Sequence, residues 1–215
     1  MKKITLMLSI MFLVSATSLV QAQSRMGSSP QFYSEFKPVV GCWSEYQMTN
    51  KGASPQKMKI AVVGKEGSDY WYETVMELSD GESIISKNLI SGDPSDTKNI
   101  KKMIVKSGTE PAMEMPGKIT GMSRQGSQIP QGKLVEKGTE KVTVPAGTFT
   151  TRHIQRQFND YVVDAWVCKD VLPYGTVKIT TKNSEMVLLG SGTGAKTRLT
   201  ETPQKFTMPG ESEEE

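Results

Sequence analysis

A period-two alternation of apolar and polar residues is the feature that most restricts how this chain can fold. In residues 57–62, every second position is apolar, at Met58, Ile60 and Val62. Residues 70–78 alternate in the same way. Because successive side chains on a strand point to opposite faces of a sheet, this pattern predicts strands with one buried face.

Short turns separate the predicted strands. Asp80 and Gly81 stand between two alternating stretches and predict a tight hairpin, because both residue types tolerate a positive φ angle. Further strands are predicted at 41–48, 82–90, 134–144, 148–158, 161–168, 176–182 and 185–189. About ten strands with short connections predict antiparallel pairing in a meander, since parallel pairing needs long crossovers. We therefore expect a mostly β (α+β) fold.

One segment, Asp93 to Pro130, breaks the alternating pattern. Three apolar residues recur at helical spacing in its first part: Ile100, Met103 and Ile104. Ser95 and Asp96 are candidates for the N-cap, so we predict one short helix within 93–106. Residues 111–130 are rich in Pro, Gly and Met and are expected to form a loop or a broken helix.

The first residues have the order of a secretory signal peptide. Lys2 and Lys3 precede an apolar run from Ile4 to Val14, and small and polar residues follow as far as Ala22. The run is too short for a membrane-spanning helix. We expect cleavage after Ala22, no membrane span in the mature protein, and a location in the periplasm or outside the cell.

The remainder of the chain is expected to form one domain with irregular ends. We predict a signal peptide at 1–22, a flexible segment at 23–34, a β-rich domain at 35–202 and an acidic mobile tail at 203–215. Without Lys2 and Lys3 the basic and acidic residues nearly balance. A nucleic-acid partner normally goes with a high positive charge or a basic cluster, so none is expected.

The two cysteines, Cys42 and Cys168, are candidates for one disulfide, because export leads to an oxidising compartment. Two buried thiols that lie far apart are the alternative, since a bridge needs Cα atoms within about 7 Å of each other. The bridge is slightly favoured.

The sequence offers little catalytic chemistry. His153 is the single histidine, which excludes histidine-rich zinc clusters, and its pairing with Cys168 lacks a recognisable nucleophile turn. The glycine-rich stretch 190–197 resembles a phosphate-binding loop, but Ala195 separates its last glycine from Lys196. We interpret that stretch as a flexible hairpin. No catalytic residue or cofactor is predicted, and an enzyme is not expected.

Methionine is abundant, with 13 residues in the chain. Met113, Met115 and Met122 lie close together in the Pro- and Gly-rich stretch. Thioethers suit Cu(I), which makes copper binding one interpretation. The stronger interpretation is that flexible, polarizable methionines fill a core or line an adaptable apolar pocket. No metal site is assigned.

Part of the C-terminal half resembles a known family. The residues that carry the resemblance are VTVPAGTF at 142–149, DAWVC at 164–168 and LPYGTVK at 172–178. Together they resemble the pattern of the periplasmic lipoprotein-carrier (LolA/LolB-like) superfamily and related exported bacterial domains. In this strand-turn motif Pro145 cannot donate to a ladder and so ends or edges a strand, while Gly147 supplies the turn.

The resemblance implies an antiparallel sheet curled into a half-barrel around an apolar cavity for acyl chains or another hydrophobic ligand, with residues 93–130 as the lid. The candidate ligand-binding residues are aromatic and methionine side chains: Tyr70, Tyr72, Met76, Met103, Met113, Met115, Phe149 and Trp166. We therefore expect a non-enzymatic periplasmic carrier or binding protein for a lipid-like ligand. The alternative is a structural or protein-interaction domain of the bacterial envelope, with an envelope protein as its partner.

Overall fold

The computed structural model describes residues 32, 34–78, 81–115 and 132–206. Within these ranges the chain forms strands and one short 3₁₀ turn. The strands are β1 (Trp43–Asn50), β2 (Gln56–Glu66), β3 (Asp69–Glu77), β4 (Ser83–Ile90), β5 (Ile100–Ser107), β6 (Met113–Met115), β7 (Lys133–Val144), β8 (Gly147–Gln157), β9 (Val162–Val167), β10 (Thr176–Thr180), β11 (Ser184–Gly192) and β12 (Gln204–Lys205).

All these strands join one sheet in the order β12-β6-β5-β4-β3-β2-β1-β11-β10-β9-β8-β7. One antiparallel meander runs from β1 to β6 and another from β7 to β11, and they meet where β1 pairs antiparallel with β11. The last strand, β12, lies parallel to β6. The sheet is curved and open, which confirms the predicted mostly β fold with a half-barrel shape.

Two tight turns follow from the residues predicted to form them. The turn between β3 and β4 contains Gly81 at a φ of 84°, a conformation that costs glycine little because it has no Cβ. At the second turn, β7 ends at Val144 and β8 begins at Gly147, whose φ is 131°. Pro145 therefore ends a strand, as predicted.

The helix predicted within 93–106 is wrong. Thr97–Asn99 form a single 3₁₀ turn, and the Asp96 side chain caps it by accepting a hydrogen bond from Lys98 N. The strand β5 follows directly. The strand wins because it pairs with β4 on one side and β6 on the other. Its two faces are both used: Met103 lies on the face of Tyr72, whereas Ile104 packs in a cluster on the opposite face. Tertiary packing of this kind overrides a weak local helical pattern.

The main hydrophobic core lies on one face of the sheet, which we call the inner face. Residues directly opposite each other on paired strands share a face, and Tyr46 on β1 is opposite both Met58 and Leu188. The strand residues buried in this core are Tyr46, Met58, Ile60, Tyr72, Met76, Ile90, Val144, Val163, Ala165, Val177, Ile179, Met186 and Leu188. Removal of this apolar surface from water stabilises the fold by roughly 25 cal/mol per Å².

The outer face of β3, β4 and β5 is covered by residues 193–205, which we call the strap. Leu199 of the strap is buried in a second cluster with Val75, Ile85, Ile104 and Ala112. Buried Glu73 accepts hydrogen bonds from Thr197 Oγ1 at 2.5 Å and from Arg198 N at 3.0 Å. Since a buried carboxylate is costly unless it is hydrogen-bonded, these bonds fix the strap to β3.

Several predicted segments lie wholly or partly outside the described residues. The signal peptide at 1–22 lies wholly outside, as does most of 23–34. Of the loop predicted at 111–130, residues 113–115 form β6 and residues from 116 onwards fall outside. The predicted tail begins at 203, and its first residues contribute β12.

Candidate functional site

Most of the residues predicted to bind a ligand share the inner face. The six that do so are Tyr70, Tyr72, Met76, Met103, Met113 and Met115. The register carries this face across four strands, because Tyr72 is opposite Asn88, Asn88 is opposite Met103, and Met103 is opposite Met115. Every second residue of a strand points to the same face. Tyr70 and Met76 therefore share the face of Tyr72 on β3, and Met113 shares the face of Met115 on β6.

One part of the inner face, which we call the aromatic half, consists of Tyr46, Tyr72 and Tyr174 with Phe32 and Phe36 packed against them. The Phe32 and Tyr174 rings are stacked with centroids 4.1 Å apart. The edge of one ring meets the face of the other where Phe36 contacts Tyr72, with centroids 5.8 Å apart. The chain therefore fills this half with its own side chains.

Burial raises the pKa of all three tyrosines of the aromatic half, because an ionised phenolate would lose its hydration there. The hydroxyl of Tyr46 donates to the Thr176 carbonyl oxygen at 3.2 Å, and that of Tyr174 faces Asp93 Oδ1 at 3.5 Å. The nearby charge of Asp93 raises the pKa of Tyr174 further. These hydroxyls consequently stay neutral and act as structural groups.

A second part of the inner face, which we call the methionine half, consists of Met103, Met113 and Met115 with Ser86 and Asn88. Val105 links the set, since it is opposite Ser86 on one side and Met113 on the other. Met103 and Met113 are half-buried, whereas Met115 is buried. The amide of Asn88 donates from Nδ2 to Ser86 Oγ at 3.2 Å, and its Oδ1 has no hydrogen-bond partner.

Asn88 was missed by the sequence prediction, although a signal was present. In the sequence of β4, Ser86 and Asn88 occupy the same phase of the alternation as Ile84 and Ile90. Polar residues at inward positions of an alternating strand must find partners inside the fold. This exception to the pattern marks a polar feature on the inner face.

Trp166 does not join the predicted set. Alternation along β9 turns Ala165 into the inner-face cluster and therefore turns Trp166 to the outer face. There the indole stacks on His153 with centroids 4.5 Å apart, and its Nε1 donates to Glu140 Oε1 at 2.6 Å. The ammonium of Lys178 lies 5.7 Å from the indole centroid. This side chain is thus part of a polar outer-face cluster.

His153 is engaged by two carboxylates in the same outer-face cluster. Its Nδ1 lies 3.0 Å from Glu140 Oε1, and its Nε2 lies 2.7 Å from Asp164 Oδ1. Cys168, in contrast, packs against the inner-face cluster. The structure therefore does not bring His153 and Cys168 together as a nucleophile and its base, which would require hydrogen-bond contact.

Phe149 occupies a third place, near the tip of the hairpin formed by β7 and β8. It packs against the main cluster there, as do Val142 and Ala146. The backbone N–H of Ala146 donates to the Leu188 carbonyl oxygen at 3.2 Å, which attaches the tip to β11. Phe149 therefore contributes to the core from the hairpin and lies outside the set that the register links on β3 to β6.

The disulfide predicted between Cys42 and Cys168 is absent, since both are free thiols in the structure. Cys42 precedes β1 and Cys168 follows β9, with β11 and β10 between these strands. Three strand spacings amount to about 14 Å along the sheet, against the roughly 7 Å that a bridge allows. Burial raises the pKa of the Cys42 thiol, which keeps it protonated and unreactive.

The glycine-rich stretch 190–197 begins as a strand and is not the hairpin that we expected. Gly190 and Gly192 belong to β11 and pair with β1. The Trp43 indole lies across them, since a Cβ added at Gly192 would come within 3.2 Å of Trp43 Nε1. These glycines make room for an aromatic ring.

The described ranges contain neither a metal-binding cluster of acidic, histidine and cysteine side chains nor a membrane-spanning helix. No group of three or more His, Cys, Asp or Glu side chains there could hold a metal ion. Of the three methionines of the copper interpretation, Met113 and Met115 lie on β6, whereas Met122 falls outside those ranges. No helix in the same ranges has the length and apolar character needed to cross a membrane.

No protein-family model matches the chain, and no curated protein matches it. Solved structures with some similarity to the chain include MucB in complex with MucA(peri), with 14% identity over 76% of this chain, 53% of that chain and a TM-score of 0.36. The MucA/MucB complex of Pseudomonas aeruginosa gives 12% identity over 74% of this chain, 53% of that chain and a TM-score of 0.35.

A Bacteroides fragilis protein that is proposed to be exported and has a YmcC-like fold gives 11% identity over 74% of this chain, 100% of that chain and a TM-score of 0.37. The chain spans about half the length of the MucB chains that it matches. These likenesses are distant, and they assign neither a family nor a function to the chain.

Proposed function

We propose that this protein is a non-enzymatic binding or carrier protein of the bacterial envelope, and that it takes a hydrophobic, lipid-like ligand on the inner face of its sheet. The observation that supports the proposal is the methionine half, where Met103, Met113 and Met115 share one face of β5 and β6, two paired strands near one edge of the sheet. Unbranched thioether side chains adapt to ligands of varied shape. Burial of an acyl chain against them would supply affinity at roughly 25 cal/mol per Å².

The location in this proposal comes from the sequence of residues 1–22, which has the order of a secretory signal peptide. A carrier in the periplasm meets lipids and acylated proteins that leave or enter membranes. An inner face that shields acyl chains from water would suit that environment.

The decisive experiment is mass spectrometry of gently purified protein, which should detect co-purified acyl lipid. Met113→Gln places a polar amide on the inner face and should reduce the bound lipid several-fold. Glu114→Gln is the matched control. Glu114 lies next to Met113 on β6 and points to the opposite face, so this variant should retain the lipid. Protein that is repeatedly empty, or equal lipid in both variants, would count against the proposal.

A structural or protein-interaction role in the envelope is the second candidate function. The aromatic half favours it, because Phe32 and Phe36 already fill the inner face beside Tyr174. In that case no acyl lipid should co-purify, and added lipid should leave the thermal unfolding temperature unchanged. A rise in that temperature with lipid concentration would support the carrier instead.

A further inference from the structure

Asn88 is a buried polar residue that the fold leaves half satisfied. Its side chain is 7% exposed, and its Nδ2 donates to Ser86 Oγ. Its Oδ1 accepts no hydrogen bond. Buried polar atoms are nearly always paired, and an unpaired acceptor costs free energy, so each exception calls for an external donor or another explanation.

The surroundings of this oxygen are apolar on the side of the sheet edge. Asn88 is opposite Met103, and Met103 is opposite Met115 on β6. On the other side it is opposite Tyr72, at the border with the aromatic half. Apolar walls with one or two placed polar groups are typical of small-molecule sites, in which the polar group fixes the orientation of the ligand.

We infer that Asn88 Oδ1 accepts a hydrogen bond from the head of an amphiphile whose hydrocarbon chain lies on the methionine half. The chemical class is an acyl or alkyl chain that ends in a donor, such as a hydroxyl or an amide N–H. This inference rests on the proposed function. It adds that the site selects ligands whose head group can donate a hydrogen bond. A head that can only accept hydrogen bonds leaves the oxygen unpaired and binds more weakly.

The test compares two probes with the same decyl chain, one of which has a methyl group in place of the hydroxyl hydrogen and therefore cannot donate a hydrogen bond. 1-Decanol and decyl methyl ether are titrated against full-length mature protein loaded with the fluorescent probe 1-anilinonaphthalene-8-sulfonate, and displacement gives both affinities. We expect decanol to bind about tenfold more tightly than the ether, because one hydrogen bond to a buried acceptor separates them. This ratio is measured on the unmodified protein and needs no variant.

Two variants locate the effect. Asn88→Leu should bring the ratio of the two affinities to about one. Thr176→Val is the matched control, since Thr176 Oγ1 is also buried without a partner but lies in the core near Tyr46, and it should keep the unmodified ratio. Far-UV circular dichroism checks that each variant is folded.

The outcomes separate the two proposals. Binding of both probes with equal affinity to the unmodified protein overturns the role of Asn88 and leaves the hydrophobic ligand in place. A ratio that survives Asn88→Leu also overturns that role. Failure of both probes to bind overturns the proposed function together with this inference.

Discussion

The two halves of the inner face belong to one sheet but are completed in different ways. The aromatic half lies near the middle of the strand order and is covered by Phe32, Phe36 and Tyr174, which come from segments outside the sheet. The methionine half lies on β4 to β6, towards one end of that order. Central strands gain cover from the chain itself, whereas strands near an edge keep adaptable side chains.

The chemistry of the side chains matches this difference. Aromatic rings bury large areas and pack in preferred geometries, which makes a filled and rigid core. Methionines have three rotatable bonds and accept several shapes, which makes a poorly specified core but a tolerant surface. We therefore expect the aromatic half to contribute more to stability, and the ligand contact that we propose falls to the methionine half.

The largest expected effect is on the aromatic half. Tyr174 is 3% exposed and contacts Phe32, Phe36 and Tyr72, so Tyr174→Ala should lower the free energy of unfolding by up to about 5 kcal/mol, as for other large buried aromatic side chains. Urea denaturation measures the loss. Tyr161→Ala, which truncates an exposed tyrosine, should cost about 1 kcal/mol or less. Similar losses in the two variants would contradict the role given to this half.

High pH should weaken the aromatic half by a comparable amount. Burial raises the pKa of Tyr46, Tyr72 and Tyr174, whereas an unfolded tyrosine ionises near pH 10. The folded state therefore keeps protons that the unfolded state loses, and stability falls as the pH rises above about 10. Together the three should cost about 4 kcal/mol at pH 11 relative to pH 8.

Urea denaturation at both pH values measures this loss. Replacing the three tyrosines by phenylalanine should remove most of the pH dependence, because phenylalanine does not ionise. An equal loss in that triple variant would place the effect elsewhere in the molecule.

Substitutions in the methionine half should have the smallest effect on the free energy of unfolding. A methionine of the main cluster can be compared directly with a methionine of this half. Met58 is 2% exposed in the main cluster, so Met58→Ala should cost about 2–5 kcal/mol. Met113 is half-buried on β6, and Met113→Ala should cost about 1 kcal/mol. The same denaturation experiment compares the two, and equal costs would show that the methionine half is packed as tightly as the core.

Much of the sheet could be predicted from local sequence. Alternation located β2 and β3, and the Asp-Gly and Pro-Ala-Gly turns located two hairpins. Residues 100–106 could not be assigned in this way, because β5 carries apolar residues on both of its faces and they do not alternate with polar ones. The helical spacing of Ile100, Met103 and Ile104 was a coincidence of side chains that serve opposite faces.

The candidate site was predicted in part. Methionine and tyrosine residues chosen by type fell on one face, since alternation fixes the direction of each side chain within a strand. Trp166 was assigned to the wrong face, because residue type alone does not give the phase of a strand. Phe32, Phe36 and Tyr174 were not foreseen as a group, since they approach from segments without a regular pattern.

The sequence by itself determined the period-two strands, the tight turns and the choice of a β fold, because these depend on backbone sterics and on side-chain direction within a few residues. Only the tertiary structure decided which strands became neighbours, that Cys42 and Cys168 stay apart, and that the strap covers the outer cluster around Leu199. These features depend on residues far apart in the sequence, such as Trp43 and Gly192 on β1 and β11 or Val75 and Leu199 in the outer cluster, and contacts at that separation are set by the packing of the whole sheet. The unpaired oxygen of Asn88 is also visible only in the tertiary structure, because the absence of a hydrogen-bond partner can be recognised only when all neighbouring residues are in place.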